Sequence, residues 1–153
     1  MNPSFDPTEI ITDAPTRSAR LKWVIVADRS APPGQLLNAV ACISAATGAA
    51  VDGLIARGGP DADGFDHPGL PWAGCSVLGA SAEQLVNLRA KASGGDGLLI
   101  IDMPRSAQTN RIYDDYLAEL AETPVAEVAA TAISILGERA DVDALVKRYS
   151  LLA

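Results

Sequence analysis

The chain has 153 residues, 48% of them hydrophobic, which suits one domain that buries its core without metal or disulfide staples. Nineteen Asp and Glu against 12 Lys and Arg give a formal charge of -7, so no overall field draws in DNA, RNA or another polyanion, and a nucleic-acid partner is disfavoured. With one histidine, His67, and two cysteines, Cys42 and Cys75, set in apolar stretches, no disulfide framework or zinc site is expected, and the thiols read as reduced and buried.

Residues 1–19 hold three prolines among small polar residues and read as a flexible N-terminal arm, with residues 20–153 forming a single α/β domain. The arm carries Asp6 and Glu9 in place of a basic and then apolar signal pattern, and no apolar run reaches the roughly 18 residues of a membrane span. A soluble cytoplasmic protein without a membrane partner is expected. Trp23 to Ala27 is continuously apolar, as in a strand covered on both faces, and ends at Asp28. A helix is predicted over 35–47. It is apolar almost all round, so burial on more than one side is expected, with Gly48 as its stop. Val51 to Ile55 reads as a short strand, and Arg57 to Gly69, rich in Gly, Pro and Asp, as loop alone. Asp61, Asp63, Asp66 and His67 within it lack the glycine and glutamate of a calcium-binding loop, and no metal is assigned there.

Cys75 to Leu78 is a second strand. Ser81 and Gln84 then match a capping box, and the helix it opens stops at Gly94. Leu98 to Ile101 is a third strand, closed by Asp102. One amphipathic helix is predicted over 104–122, its apolar stripe carrying Tyr113, Tyr116, Leu117 and Leu120. Ala132 to Leu136 is a fourth strand, and Asp141 to Tyr149 a final helix. This alternation predicts a three-layer α/β/α sandwich around a small mixed sheet of about four strands.

In an open α/β sheet ligands bind beyond the carboxyl ends of the strands, which singles out the loops after Asp28 and Asp102. Asp102 is the candidate acid or base, with the Ser106 hydroxyl beside it as the other candidate catalytic group. Asp28, Gln35, Asn38, Arg105 and Gln108 are the candidate ligand-binding residues: the amides would orient a ligand through paired donors and acceptors, and Arg105 would meet an anionic group. The chain carries no phosphate-loop or dinucleotide glycine pattern, and no cofactor is assigned.

Four stretches together, Trp23 to Ala39, Cys75 to Ala92, Leu99 to Asp102 and Ala132 to Leu151, resemble the type II peptidyl-tRNA hydrolase fold. With Asn38, Asp102, Gln108, Tyr113 and Tyr116 the chain looks like a bacterial domain family of unknown function that shares this fold. The hydrolase pattern implies lysine, glutamine and histidine along the first helix, where this chain holds Gln35, Ala39 and Cys42; the aspartate stands as Asp102 and a following hydroxyl as Ser106. Three functions are therefore expected in turn. The first is a small-molecule binding domain or atypical hydrolase with its site at the strand ends, the second a peptidyl-tRNA or aminoacyl-ester hydrolase, and the third a non-enzymatic homodimeric interaction module.

Overall fold

The computed structural model describes all 153 residues. Strand β1, Leu21–Asp28, is buried along almost its whole length. Its alternating side chains feed two separate cores, Leu21, Trp23, Ile25 and Ala27 on one face of the sheet and Val24 and Val26 on the other. Helix α1, Pro33–Ala50, starts earlier and ends later than predicted. Gly48 has no positive φ and stays helical, so the stop lies at Val51, which turns to extended backbone. Only Ala39, Ile43 and Thr47 of α1 are buried; burial on several sides is corrected to burial on one face. Val51 to Ile55 is likewise no strand, because Gly53 at φ 75° breaks the extended run and Ile55 makes only an isolated bridge to Pro71.

The segment read as loop contains a two-stranded ribbon, β2 (Gly59–Pro60) and β3 (Asp66–His67). Its backbones cross so closely that a Cβ on Gly58 would lie 1.9 Å from the His67 carbonyl oxygen, and one on Gly69 1.6 Å from that of Ala56; only glycine fits at either place. Asp61 closes the ribbon by accepting the backbone N–H groups of Asp63 and Phe65.

Strand β4, Ser76–Ala80, leads into helix α2, Ala82–Ala92, through the predicted capping box of Ser81 and Gln84. Strand β5 spans Leu99–Pro104. The single helix predicted after it is two, α3 (Arg105–Thr109) and α4 (Tyr113–Ala121). The break falls at Asn110, whose backbone turns extended while its amide donates to the Ser106 carbonyl and to Glu119, the local competition that makes asparagine a poor interior helix residue. Strand β6, Ala130–Glu138, helix α5, Arg139–Val146, and a short strand β7, Ser150–Leu151, complete the chain.

The sheet has five strands in the order β5-β6-β1-β4-β7, one more than expected, because the last helix stops at Val146 and leaves Leu151 free to pair with Leu78. β4 is parallel to β1, and β6 is antiparallel to both β1 and β5. The fold is thus a mixed α/β sheet with α1 on one face and α2 and α5 on the other. A buried polar relay ties α1 down. The Trp23 indole N–H donates to Ser134 Oγ at 2.8 Å, Ser134 lies 2.8 Å from Thr47 Oγ1, and Thr47 donates to the Ile43 carbonyl at 2.7 Å. Each hydroxyl gives one proton and receives one, so no polar atom is left bare in this core. No helix is long and apolar enough to cross a membrane.

Residues 1–19 lie against the domain. Phe5 is buried, its ring centroid 4.9 Å from that of Trp72, and its N–H donates to the Asp52 carbonyl. Arg20 clamps the arm by donating to Glu9 at 2.5 Å, to the Ser4 carbonyl, and to Glu138 at the end of β6. The Arg20 guanidinium and the Asp6 N–H hold the Glu9 carboxyl down to about 2, from the usual 4.5. A depressed carboxylate contributes its stabilisation fully above the unfolded value and loses it as pH falls through the folded one. Acid between about pH 4.5 and about 2 should therefore loosen the arm, read as a change in tryptophan fluorescence at the Phe5–Trp72 contact. Glu9→Gln should shrink that step to the part carried by Asp6, whose carboxyl is also held down by its hydrogen bonds from Thr8.

Candidate functional site

Asp28 ends β1 with a side chain only 1% exposed. Its carboxylate is nonetheless fully engaged: one oxygen accepts the Ser30 N–H at 2.9 Å and hydroxyl at 2.6 Å, and the other accepts from Arg105 at 2.5 Å. Arg105 opens α3, so this ion pair ties the start of that short helix across the end of β6 to β1.

Gln108, one turn further on, makes the second tie. Its Nε2 donates to the Gln35 carbonyl at 2.9 Å and to Asn38 Oδ1 at 3.0 Å. Its Oε1 accepts from the Thr131 hydroxyl at 2.6 Å and from Gln35 Nε2 at 3.2 Å. Two donors and two acceptor positions exhaust what an amide offers, so one side chain joins α3, the first turns of α1, and β6. Gln35, Asn38 and Gln108, singled out separately in the sequence, thus meet in one network.

Asp102 stands apart from Asp28. The two strands run the same way, but β6 lies between them, so the strands are not neighbours. Each carboxylate has its own arginine, and the partner of Asp102 is Arg89 of α2, at 2.6 Å. Beside Asp102 a groove of about 610 Å³ runs along the edge strand β5 between α1 and the α3–α4 pair, and Asn38, Cys42, Asn110, Arg111, Tyr113 and Tyr116 contribute to its walls. Tyr113 and Tyr116 meet edge to face with centroids 5.3 Å apart. Burial, then the neighbouring Tyr113 and Asp102, raise the Tyr116 phenol above its ordinary value. Arg111 makes no ion pair within the chain.

Ser106 lines a different and smaller cavity, about 130 Å³, with Glu119 and Glu127; Asp102 is not among its walls. His67 sits on the ribbon, its Nε2 3.2 Å from Asp61. Both cysteines are exposed, which corrects the expectation of buried thiols, and Cys42 faces the groove. Arg111, Asn110 and Cys42 are groove residues that the sequence pattern does not single out, and the tyrosines belong to its apolar stripe; the one signal in the sequence is the asparagine interrupting that stripe.

The buried position of Asp28 makes its partner essential for stability. Arg105→Ala leaves that carboxylate buried without a counter-charge, which costs about 3 kcal/mol, the low end of the usual range because Arg105 itself is 45% exposed. Urea unfolding measures this, and Asp28→Ala should destabilise the same transition.

The family described as "Protein of unknown function (DUF2000)" matches residues 21–153. No curated protein matches the chain. Among solved structures, a protein of unknown function from Agrobacterium tumefaciens strain C58, Atu0240, superposes with a TM-score of 0.74 at 16% identity, covering 88% of this chain and 98% of that one. At that identity the likeness shows shared fold alone. Matched from β1 to its last residue, the chain belongs to the DUF2000 family.

Proposed function

We propose that the chain is a small-molecule binding domain whose ligand lies in the groove along β5. The observation that carries this reading is the groove's volume and lining. About 610 Å³ falls within the roughly 300–1,000 Å³ of ligand sites, which are mostly apolar with a few convergent polar groups. Ile43, Ala46, Ile100 and Met103 supply apolar wall, while Asn38, Asp102, Asn110 and Arg111 supply polar contacts. The tyrosine pair suits a flat apolar group, and the unpaired Arg111 suits a carboxylate or phosphate on that ligand.

Within this reading Asn38 and Asp102 contact the ligand, and Gln35, Gln108, Asp28 and Arg105 position the walls. Hydrolysis by Asp102 with Ser106 would need the hydroxyl in the groove, and Ser106 borders another cavity; geometry therefore favours binding over ester cleavage. A type II peptidyl-tRNA hydrolase-like architecture belongs to this proposal, and the hydrolase activity does not. Gln35 stands where the hydrolases' lysine is expected, and a charge of -7 opposes a tRNA.

A thermal-shift screen of aromatic carboxylates and aryl phosphates provides the test. Hits should weaken about tenfold or more, about 1.4 kcal/mol, in Tyr116→Ala and in Arg111→Ala, and should be unaffected by Arg57→Ala at the separate cavity between the arm and the ribbon. Hits that respond to Arg57→Ala and ignore both groove variants would refute the reading.

A further inference from the structure

The chain has 12 Lys and Arg among 19 Asp and Glu, so a cation here ordinarily finds a carboxylate close by. One cavity of about 320 Å³ departs from that balance: Arg17, Lys22 and Arg139 line it, and no Asp or Glu does. The three cations come from separate elements, and the sheet register brings them together. Lys22 of β1 pairs with Gly137 of β6, just before Arg139 opens α5, and Ser76 at the start of β4 pairs with Val24. Arg17 arrives from the arm on the turn Thr16–Ser18. That turn rests against the loop ahead of β4, where a Cβ on Gly74 would lie 3.6 Å from the Thr16 side chain.

We propose that this cavity binds a phosphoryl dianion, as free phosphate or as the head of a small phosphate monoester. Neither Arg17 nor Arg139 makes an ion pair. Arg139 donates one nitrogen to the Ala19 carbonyl at 2.9 Å, and the rest of its fork is free. Lys22 alone has a carboxylate, Asp143, which stands outside the cavity wall. Three like charges around one opening repel each other, and a dianion between them turns that repulsion into attraction. A monocarboxylate would balance only part of it. Two guanidinium forks and an ammonium also match the oxygens of a phosphoryl group, with the Thr16 and Ser76 hydroxyls as uncharged donors on the same wall. A nucleic acid is a poor occupant, because its neighbouring phosphates would meet the acidic remainder of a chain at -7. The volume lies near the roughly 300 Å³ lower end of ligand sites, and Trp23 and Ala73 offer apolar wall to a short organic tail. The cavity shares no residue with the groove along β5, so its occupancy does not depend on that groove holding a ligand.

Amide NMR titrations of the full chain decide it, with inorganic phosphate and with glycerol 3-phosphate from about 0.1 mM to about 20 mM. Ionic strength is held constant, and the pH is kept above about 7, where the phosphoryl group is dianionic. Saturable shifts are expected at Arg17, Lys22, Ser76 and Arg139. Tighter binding of the ester identifies a phosphorylated metabolite as the source, and equal or tighter binding of phosphate identifies the free ion. Arg17→Gln, at an exposed position without an ion-pair partner, should weaken binding about tenfold with the remaining spectrum unchanged. Arg111→Gln removes the same charge at the groove and should bind like the parent. The proposal is overturned if neither anion gives saturable shifts, if acetate at the same ionic strength gives the same ones, or if Arg17→Gln binds no more weakly than Arg111→Gln.

Discussion

The arrangement depends on the Gln108 amide. A short five-residue helix cannot hold itself in place, and α3 buries no residue of its own. Beyond the partly buried Ala107 against the core, what fixes it is polar: four hydrogen bonds from one side chain to α1 and β6, supported by the Arg105–Asp28 ion pair one turn earlier. Because the Thr131 hydroxyl is buried and has Gln108 as its partner, removing the amide would leave a bare donor in the core as well as a loose helix. The direction in which the chain leaves β5, and so the place where α4 stands, follows from this joint.

That geometry produces the groove. β5 is the edge of the sheet, and an exposed edge invites unwanted pairing unless something covers it. The α3–α4 turn stands over it from one side and α1 from the other, but the break at Asn110 holds α4 off the strand. The gap left between them is lined by the side chains that face it, apolar from β5 and α1 and mixed from α4. A continuous helix in place of the break, as the sequence suggests, would carry Tyr113 and Tyr116 in a different direction.

Much of the fold is legible in the sequence because it follows from strong local rules. The β-branched run of β1, the Ser81 capping box and the apolar stretch of β6 each specify an element without help from the rest of the chain. Other features depend on tertiary context. Gly48 reads as a stop but has no reason to leave the helix when α1 rests on the sheet. β7 is two residues long and exists only because β4 offers an edge. The strand order, with β6 between β1 and β5, cannot be read from alternation of elements, and for that reason Asp28 and Asp102 looked like one site. Within the candidate site, residue types were visible and their partners were not. Gln108 reads as a ligand contact because an amide's paired donors and acceptor can orient one, whereas its partners come from positions 23 and 73 residues away.

The proposed ligand site is the groove beside β5, with Gln108 holding it open. The most direct measurement is amide and side-chain NMR of the full chain titrated with a fragment library of aromatic carboxylates. The account predicts perturbations concentrated at Asn38, Cys42, Asp102, Arg111, Tyr113 and Tyr116, and their loss in Gln108→Leu although the protein remains folded. Perturbations centred on Thr12, Arg57 and His67, or groove shifts that persist unchanged in Gln108→Leu, would contradict it.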